Sequence, residues 1–354
     1  MADEIELIVG GLRYAGWESI EVTRSISSMA GSFDLAVSDR WGAASKPWPI
    51  AEGSACQVAI GGEVVIDGYV SRRRISIDAT SRRLSVVGRD RAAELVDCSA
   101  IVTGAARRDG TLEHFAAELA RPHGISVSVQ AGLNVPKVTL AVQPGDSVAD
   151  AILRAAGVAG VLVVSDGRGG IVLTRASTQR ATALAQGANV LSATMEYSSE
   201  ERFRTYRIMT QVGGFYDEGG PSMVVQADAT DTGVLPSSRL IIIRPDQGLT
   251  KADALRRADW EARVRAARAE TAEISVQGWR QRKGGDLWTI NRITRVSVPA
   301  VGIDGDMLIS DVTYSIGAEG QIAELKLVRP DAFTPEPRAV VTSGLWKEIA
   351  KGGL

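Results

Sequence analysis

Cysteine and histidine are nearly missing from this chain of 354 residues, which has two of each: Cys56, Cys98, His114 and His123. That inventory excludes a disulfide scaffold and a zinc cluster built from cysteine and histidine. Two reduced, half-buried thiols are expected rather than one bridge. No apolar run reaches the roughly 18 residues of a membrane helix, and the longest, such as Gly160–Val164 and Leu240–Ile243, have strand length. The acidic opening MADEIELIVGG lacks the basic flank of a secretory signal, so a soluble protein made in the cytoplasm is expected. Neither sign of charge dominates. With 40 Lys and Arg against 42 Asp and Glu the net charge is −2. This balance argues against binding nucleic acid by bulk charge, while a local basic patch stays open.

The signatures of catalysis are also missing. No G-x-S-x-G occurs, and neither His114, inside a predicted helix, nor His123, in a Pro–Gly turn, sits in a nucleophile motif. Glu200–Glu201 and Asp217–Glu218 are adjacent pairs. Neighbours on a strand point to opposite faces, so these read as solvated acids rather than a hydrolytic pair. Gly167-Arg168-Gly169-Gly170 follows a strand but lacks phosphate-loop spacing and leads into another strand, so it reads as a hairpin turn. The sequence assigns no catalytic residue, no cofactor-binding residue and no metal ligand, and the reading is that the protein is not an enzyme.

What is present is a globular composition, 45% hydrophobic and 23% charged, in a chain long enough for two or three domains. From Glu4 to about Gly88 short runs alternate apolar and polar residues: IELIV, SIEVTRSI, SFDLAVS, CQVAI, EVVIDGYVS, RRISID and RLSVVGR. Period-two alternation predicts strands with one buried face. Gly10-Gly11 and Gly61-Gly62 supply tight turns. A small barrel or sandwich is expected here. The pattern then changes. Thr111 caps a predicted helix with Leu112, Phe115, Ala116 and Leu119 on one face, ended by Pro122 and Gly124 and followed by the strand ISVSV. Ser147 opens a second copy, with Val148, Ile152 and Ala155 or Ala156 inward, a break at Gly157 or Gly160, and the buried strand VLVV. The result is an α/β module.

From about residue 180 strands return: NVLSATMEYS, RFRTYRIMTQVG, SMVVQADA, RLIIIRP, AEISVQGW, LWTINRITRVSV, MLISDVTYSI and IAELKLVR. The Gly-rich stretch 213–221 is expected to be mobile. Residues 250–270 form the clearest helix, capped by Thr250 with Asp253 at the capping-box position, and Leu255, Ala258, Ala262, Ala266 and Ala269 are its expected inner stripe. The tail carries Pro330, Pro335 and Pro337, which predicts an extended or disordered segment until something binds it, with one short amphipathic turn at Leu345, Trp346 and Ile349. The fold class is therefore α+β, mainly β. Its parts are a first β-barrel-like domain (1–100), an α/β module (101–178), a second β-barrel-like domain with its helix (179–333) and a Pro-rich tail (334–354).

Two sets of residues suggest surfaces. Arginines cluster at 72–74, 82–83, 89 with 91, and 280–283. Arg72 and Arg74 share one face of a strand, either as a solvated stripe paired with acids or as a contact to a neighbouring subunit or a nucleic acid. Seven tryptophans exceed five phenylalanines. Trp41 and Trp48 lie in the Pro-containing segment DRWGAASKPWPI, suited either to an intermolecular contact or to local packing. Separately, VQPGDSVADAI resembles the opening of a LysM peptidoglycan-binding module over about ten residues, which makes a cell-wall-binding protein of a phage tail the alternative reading.

Segment by segment, the chain resembles the Mu-type phage tail baseplate hub family, related to the hub of T4-like phages and the hub part of VgrG spikes. The matching stretches run in order. They are GLRYAGWESIEVTRSISSMAGSFDLAVSDRW, the WPI-x-x-G segment at Trp48–Gly53, GYVSRRRISID, VVGRDRAAELVDCSA, GANVLSATMEYSSEERFRTYRI, RADWEAR within the helix, and GWRQRKGGDLWTINR. The resemblance implies a homotrimeric ring that joins a sixfold tail tube to a threefold spike around a channel. DNA would pass through that channel without sequence-specific binding. It also implies tail spike, tube and tape-measure proteins as partners, no cofactor and no membrane insertion. Assembly would take place in the host cytoplasm, and the final place would be the virion baseplate. Under it, Trp41, Trp48, Arg72 and Arg74 are the candidate subunit or partner contacts.

Overall fold

The alternating runs of the first region form seven antiparallel strands: β1 (Ile5–Val9), β2 (Leu12–Tyr14), β3 (Ser19–Ser25), β4 (Ser32–Ser38), β5 (Ala55–Ile60), β6 (Glu63–Ile77) and β7 (Arg82–Asp90). In this computed structural model the described residues are 3–38, 50–77, 82–101, 107–212, 223–245, 249–317 and 320–337. Gly61 and Gly62 join β5 to β6 with φ of 55° and 85°, the two left-handed residues that a type I′ turn needs. β1 alternates as its sequence predicts, with Ile5, Leu7 and Val9 buried. β6 is the longest strand of this region and shifts register between Val70 and Arg72, so it bends as it leaves the core.

The module follows: α1 (Ala93–Asp97), β8 (Arg107–Thr111), α2 (Leu112–Ala120), β9 (Ser126–Val129), β10 (Lys137–Ala141), α3 (Val148–Ala159), β11 (Leu162–Ser165) and β12 (Gly170–Thr174). Thr111 caps α2 by accepting from His114 N–H, and Ser147 and Asp150 close a full capping box on α3. α3 ends at Gly160, left-handed at φ 63°. β9 pairs parallel to β12, which pairs antiparallel to β11. The apolar faces of α2 and α3 (Leu112, Phe115, Leu119, Ile152) share one core with Ile171 and Leu173 of β12. The turn 167–170 is a hairpin, held by Asp166 accepting from the N–H groups of Arg168 and Gly170.

The last region contains β13 (Leu184–Ala185), β14 (Val190–Tyr197), β15 (Thr205–Val212), β16 (Met223–Thr230), β17 (Leu240–Ile243), α4 (Lys251–Arg268), β18 (Glu270–Gln277), β19 (Ile293–Val298), β20 (Ile303–Gly317) and β21 (Gly320–Val328). Two compact units result, one of residues 1–195 with 272–327 and one of 196–271 with 328–354. In the first unit the strands do not close into two separate barrels. They join in one 13-stranded sheet, ordered β14-β18-β21-β20-β3-β4-β7-β6-β5-β1-β2, with β19 on β20 and β13 on β19. The seam is β20 against β3, where Asp311–Ser315 pair with Ser25–Glu21. The separate barrel expected for each region is corrected to this shared sheet, because strand patterns specify a buried face but not the partner across an edge.

Other expectations change too. LWTIN is not strand: Asn291 is left-handed at φ 58° and β19 begins only at Ile293. Cys56 is fully buried rather than half-buried, while Cys98 is half-buried, and both thiols are free. In the second unit, α4 is capped by Thr250 as expected, but its inner face is Ala254, Ala258, Val264 and Ala267, with Leu255 exposed. Ala254 and Ala258, with the half-buried Ala262 beside them, pack on Ile208, Val225 and Ala227 of β15 and β16, so Ala258 and Ala262 of the expected stripe hold. The start of the Pro-rich tail is ordered rather than extended: Pro330–Phe333 form a 3-10 turn, and Trp260 and Arg268 of α4 donate to the carbonyls of Thr334 and Ala332 at 2.8 and 3.0 Å. The Gly-rich stretch 213–221 and the turn at 345–349 lie outside the described residues.

Candidate assembly surfaces and side-chain clusters

Arg72 and Arg74 lie on the outer half of β6, where Ser71–Ile77 are all exposed. Beyond Tyr69, which pairs with Ala55 of β5, this strand has only β7 as a partner among the described strands. The alternation expected of Arg72 and Arg74 holds, and Ile75 and Ile77 on the opposite face are 48% and 71% exposed. A strand with no partner but β7 among the described strands, carrying Arg72 and Arg74 on one face and Arg73, Ile75 and Ile77 on the other, is suited to meeting another chain. Sequence reading named the arginines and missed the two isoleucines, whose alternating pattern looks like that of a core strand. Trp41 and Trp48 lie outside the described residues.

Arg89, Arg91 and Arg280, from the other basic runs, are occupied within the chain. Arg91 donates to Asp67 at 2.7 Å, Arg89 pairs with Asp97, and Arg280 reaches Asp3 at 2.8 Å and Glu63 at 2.6 Å. These are structural pairs, and the partly exposed ones contribute little individually. The tryptophans that are described do packing work. Trp279 and Trp288 are buried, Trp279 donates to the Ser315 carbonyl, and Trp17 donates to the Tyr14 carbonyl.

A cleft of about 360 Å³ opens beside the seam, lined by Arg24, Gln130, Ser165, Thr174, Asn291 and Arg292. Asn291 fixes its floor, accepting from Ser177 N–H at 2.8 Å and donating to the Arg175 carbonyl at 2.9 Å. Burial holds the Arg292 guanidinium pKa below its usual value. Nearby, Asp90 is almost fully buried and accepts from Gly31 and Ala92 N–H at 2.7 and 2.9 Å. Burial still pushes its carboxyl above the ordinary range, against these hydrogen bonds.

The histidines are placed apart. His114 is exposed on α2, 4.0 Å from Glu118. His123 instead meets Glu94 and Cys98, the three donor atoms lying within 4.8 Å of one another. A count restricted to cysteine and histidine overlooks such a mixed cluster, in which Glu94 and Cys98 are one helical turn apart and His123 comes from a separate element.

Comparison with known proteins gives a consistent answer along the chain. Residues 4–90 match the family described as Mu phage baseplate assembly protein GpP-like, N-terminal. Residues 92–175 match baseplate hub protein gp44-like, second domain, and residues 250–336 match the GpP fourth domain. The segment that resembles LysM therefore falls inside the second-domain match, and the wall-binding alternative is set aside. Baseplate hub protein gp44 of Escherichia phage Mu is 33% identical over 325 residues, covering 88% of this chain and 84% of that one. The 43 kDa tail protein of prophage MuSo2 from Shewanella oneidensis has a TM-score of 0.82 at 35% identity, covering 94% of this chain and 100% of its own. A tail protein from Neisseria meningitidis MC58 shares the fold, with a TM-score of 0.81 at 23% identity over 95% of this chain and 99% of its own.

Proposed function

The chain belongs to the Mu phage baseplate hub family, and from that membership we infer that it is the structural hub of a contractile-tail baseplate. The observation that carries this is the match to a Mu hub protein over most of both chains. The relatives are structural tail proteins, so its work is binding rather than covalent chemistry. In finer detail, three copies close a ring through a heterologous contact, in which two different patches meet and the rotation closes. The ring joins a sixfold tube to a threefold spike, meets the tape-measure end, and leaves a channel for DNA. The segments 1–100, 101–178, 179–333 and 334–354 act as the four parts of each subunit. Assembly occurs in the host cytoplasm and the mature position is the virion baseplate.

Arg72 and Arg74, on the open half of β6, form part of the ring contact, with Ile75 and Ile77 as its apolar complement and Trp41 and Trp48 as further anchors. The exposure of this strand supports the assignment. The test is solution mass by light scattering, alone and co-expressed with the cognate spike. A trimer near three times 37.5 kDa is expected. Charge reversal of Arg72 and Arg74 together should weaken trimer formation at least tenfold without altering the circular dichroism. A monomer under both conditions overturns the ring, and an unweakened double variant overturns the assignment of this strand.

A further inference from the structure

Within the α/β module, Cys98 follows the last residue of α1 and Glu94 lies one turn before it. Cys98 Sγ stands 3.6 Å from Glu94 Oε2. His123 arrives from a different element, the 3-10 turn that continues α2. Its imidazole completes a group in which all three donor atoms lie within 4.8 Å of one another, each side chain half-buried. Two ligands on a tetrahedral zinc ion, at about 2.3 Å for sulfur and about 2.0 Å for oxygen, stand about 3.5 Å apart. The sulfur–carboxylate pair is already at that separation.

The backbone holds these donors firmly. Cys98 N–H donates to the Glu94 carbonyl, the Cys98 carbonyl accepts from Val148 N–H, and Ala100 N–H donates to the Asp146 carbonyl. Leu95, between the two ligands, is fully buried. His123 is fixed between Pro122, whose ring sets its own φ, and Gly124, left-handed at φ 67°. Neighbouring Asp97 is occupied by Arg89 and does not compete.

We propose that Glu94, Cys98 and His123 form a site for a divalent transition-metal ion of the zinc class, which clamps α1 to the end of α2. A thiolate, an imidazole and a carboxylate are the donors a borderline-soft ion takes, and hard ions such as magnesium do not. One thiolate and one carboxylate balance the charge of the ion. On binding, the Cys98 thiol proton passes to solvent and the sulfur lone pair bonds to the metal. The fourth position is left to water.

The experiment titrates the full-length chain with cobalt(II), used as a spectroscopic substitute for zinc, and follows the thiolate-to-cobalt charge-transfer absorption in the near ultraviolet. One cobalt per chain is expected, displaced by one equivalent of zinc. Cys98→Ser should abolish the band, and Cys56→Ser should retain it. His123→Ala and Glu94→Gln should each weaken binding at least tenfold. Because a variant can fail to fold, zinc protection of Cys98 from iodoacetamide in the unaltered protein is the second readout, with at least tenfold slowing expected. The absence of both the band and the protection overturns the site. A band that survives Cys98→Ser, or unchanged affinity in both His123→Ala and Glu94→Gln, overturns the assignment of its ligands.

Discussion

Asp90 illustrates how one residue ties several segments together. Its carboxylate accepts from Gly31 N–H, on the approach to β4, and from Ala92 N–H, just before α1. Burial raises its pKa despite these bonds, so the folded state holds the proton more tightly than the unfolded chain does. Its contribution therefore favours folding below the ordinary carboxylate value of about 3.9 and is lost as pH rises through the raised value. Asp90→Asn removes the titration. The stability of the unaltered protein relative to that variant should fall as pH rises through this window, measured by urea unfolding at a series of pH values. A difference that grew with pH would instead mean a carboxylate stabilised in its charged form. Cys56 is a simpler case: burial first, then the Asp67 charge, pushes its thiol to about 12, so it stays a protonated apolar side chain.

At the scale of elements, close approach matters as much as periodicity. A Cβ at Gly88 would come within 2.4 Å of both Phe33 Cζ and the Tyr69 carbonyl oxygen. Gly88 is thus the gap that lets β4, β7 and β6 lie flush, and Phe33 fills it. Gly88→Ala should destabilise by about 1–3 kcal/mol, read as a lowered urea midpoint with an unchanged slope. The helices show a different balance. Their caps at Thr111, Ser147 and Thr250 were readable in the sequence because side-chain acceptance from the third residue's N–H is a local interaction. The buried face of α4 was readable only in part: Ala258 and Ala262 do face the sheet, whereas Leu255 is exposed. Alanine covers much of this helix, and an alanine pattern by itself does not say which side meets β15 and β16. The docking of Pro330–Phe333 on α4 was hidden for a related reason: proline marks a break in regular structure, not where the chain then packs.

For the first unit as a whole, the decisive contact is β3 against β20, which joins residues almost 300 positions apart. Thr23 and Thr313 face each other across it at 2.9 Å between hydroxyl oxygens. The strands of the first region thus depend on a partner supplied late in the chain. A fragment of residues 1–178 should lose its cooperative thermal transition and self-associate through the bared edge of β3, measured by circular dichroism and size exclusion. A monomeric fragment with a sharp transition would show that the first region folds independently. The charge balance belongs to this scale as well. Arg89, Arg91 and Arg280 are held in pairs inside the chain, whereas Arg72 and Arg74 stand exposed on β6, so the near-neutral total conceals an uneven distribution of charge.

The sequence by itself determined the strands of the first region, their glycine turns, the two capped helices of the module and the family, because each rests on local patterning or on an ordered set of short stretches. Only the tertiary structure decided which edges meet, that Leu255 of α4 faces outward, and that Glu94, Cys98 and His123 converge. The physical reason is the same in each case. Backbone propensity, capping and alternation act over a few residues. Edge pairing and side-chain convergence depend on how distant segments close on one another, and no short-range pattern encodes that.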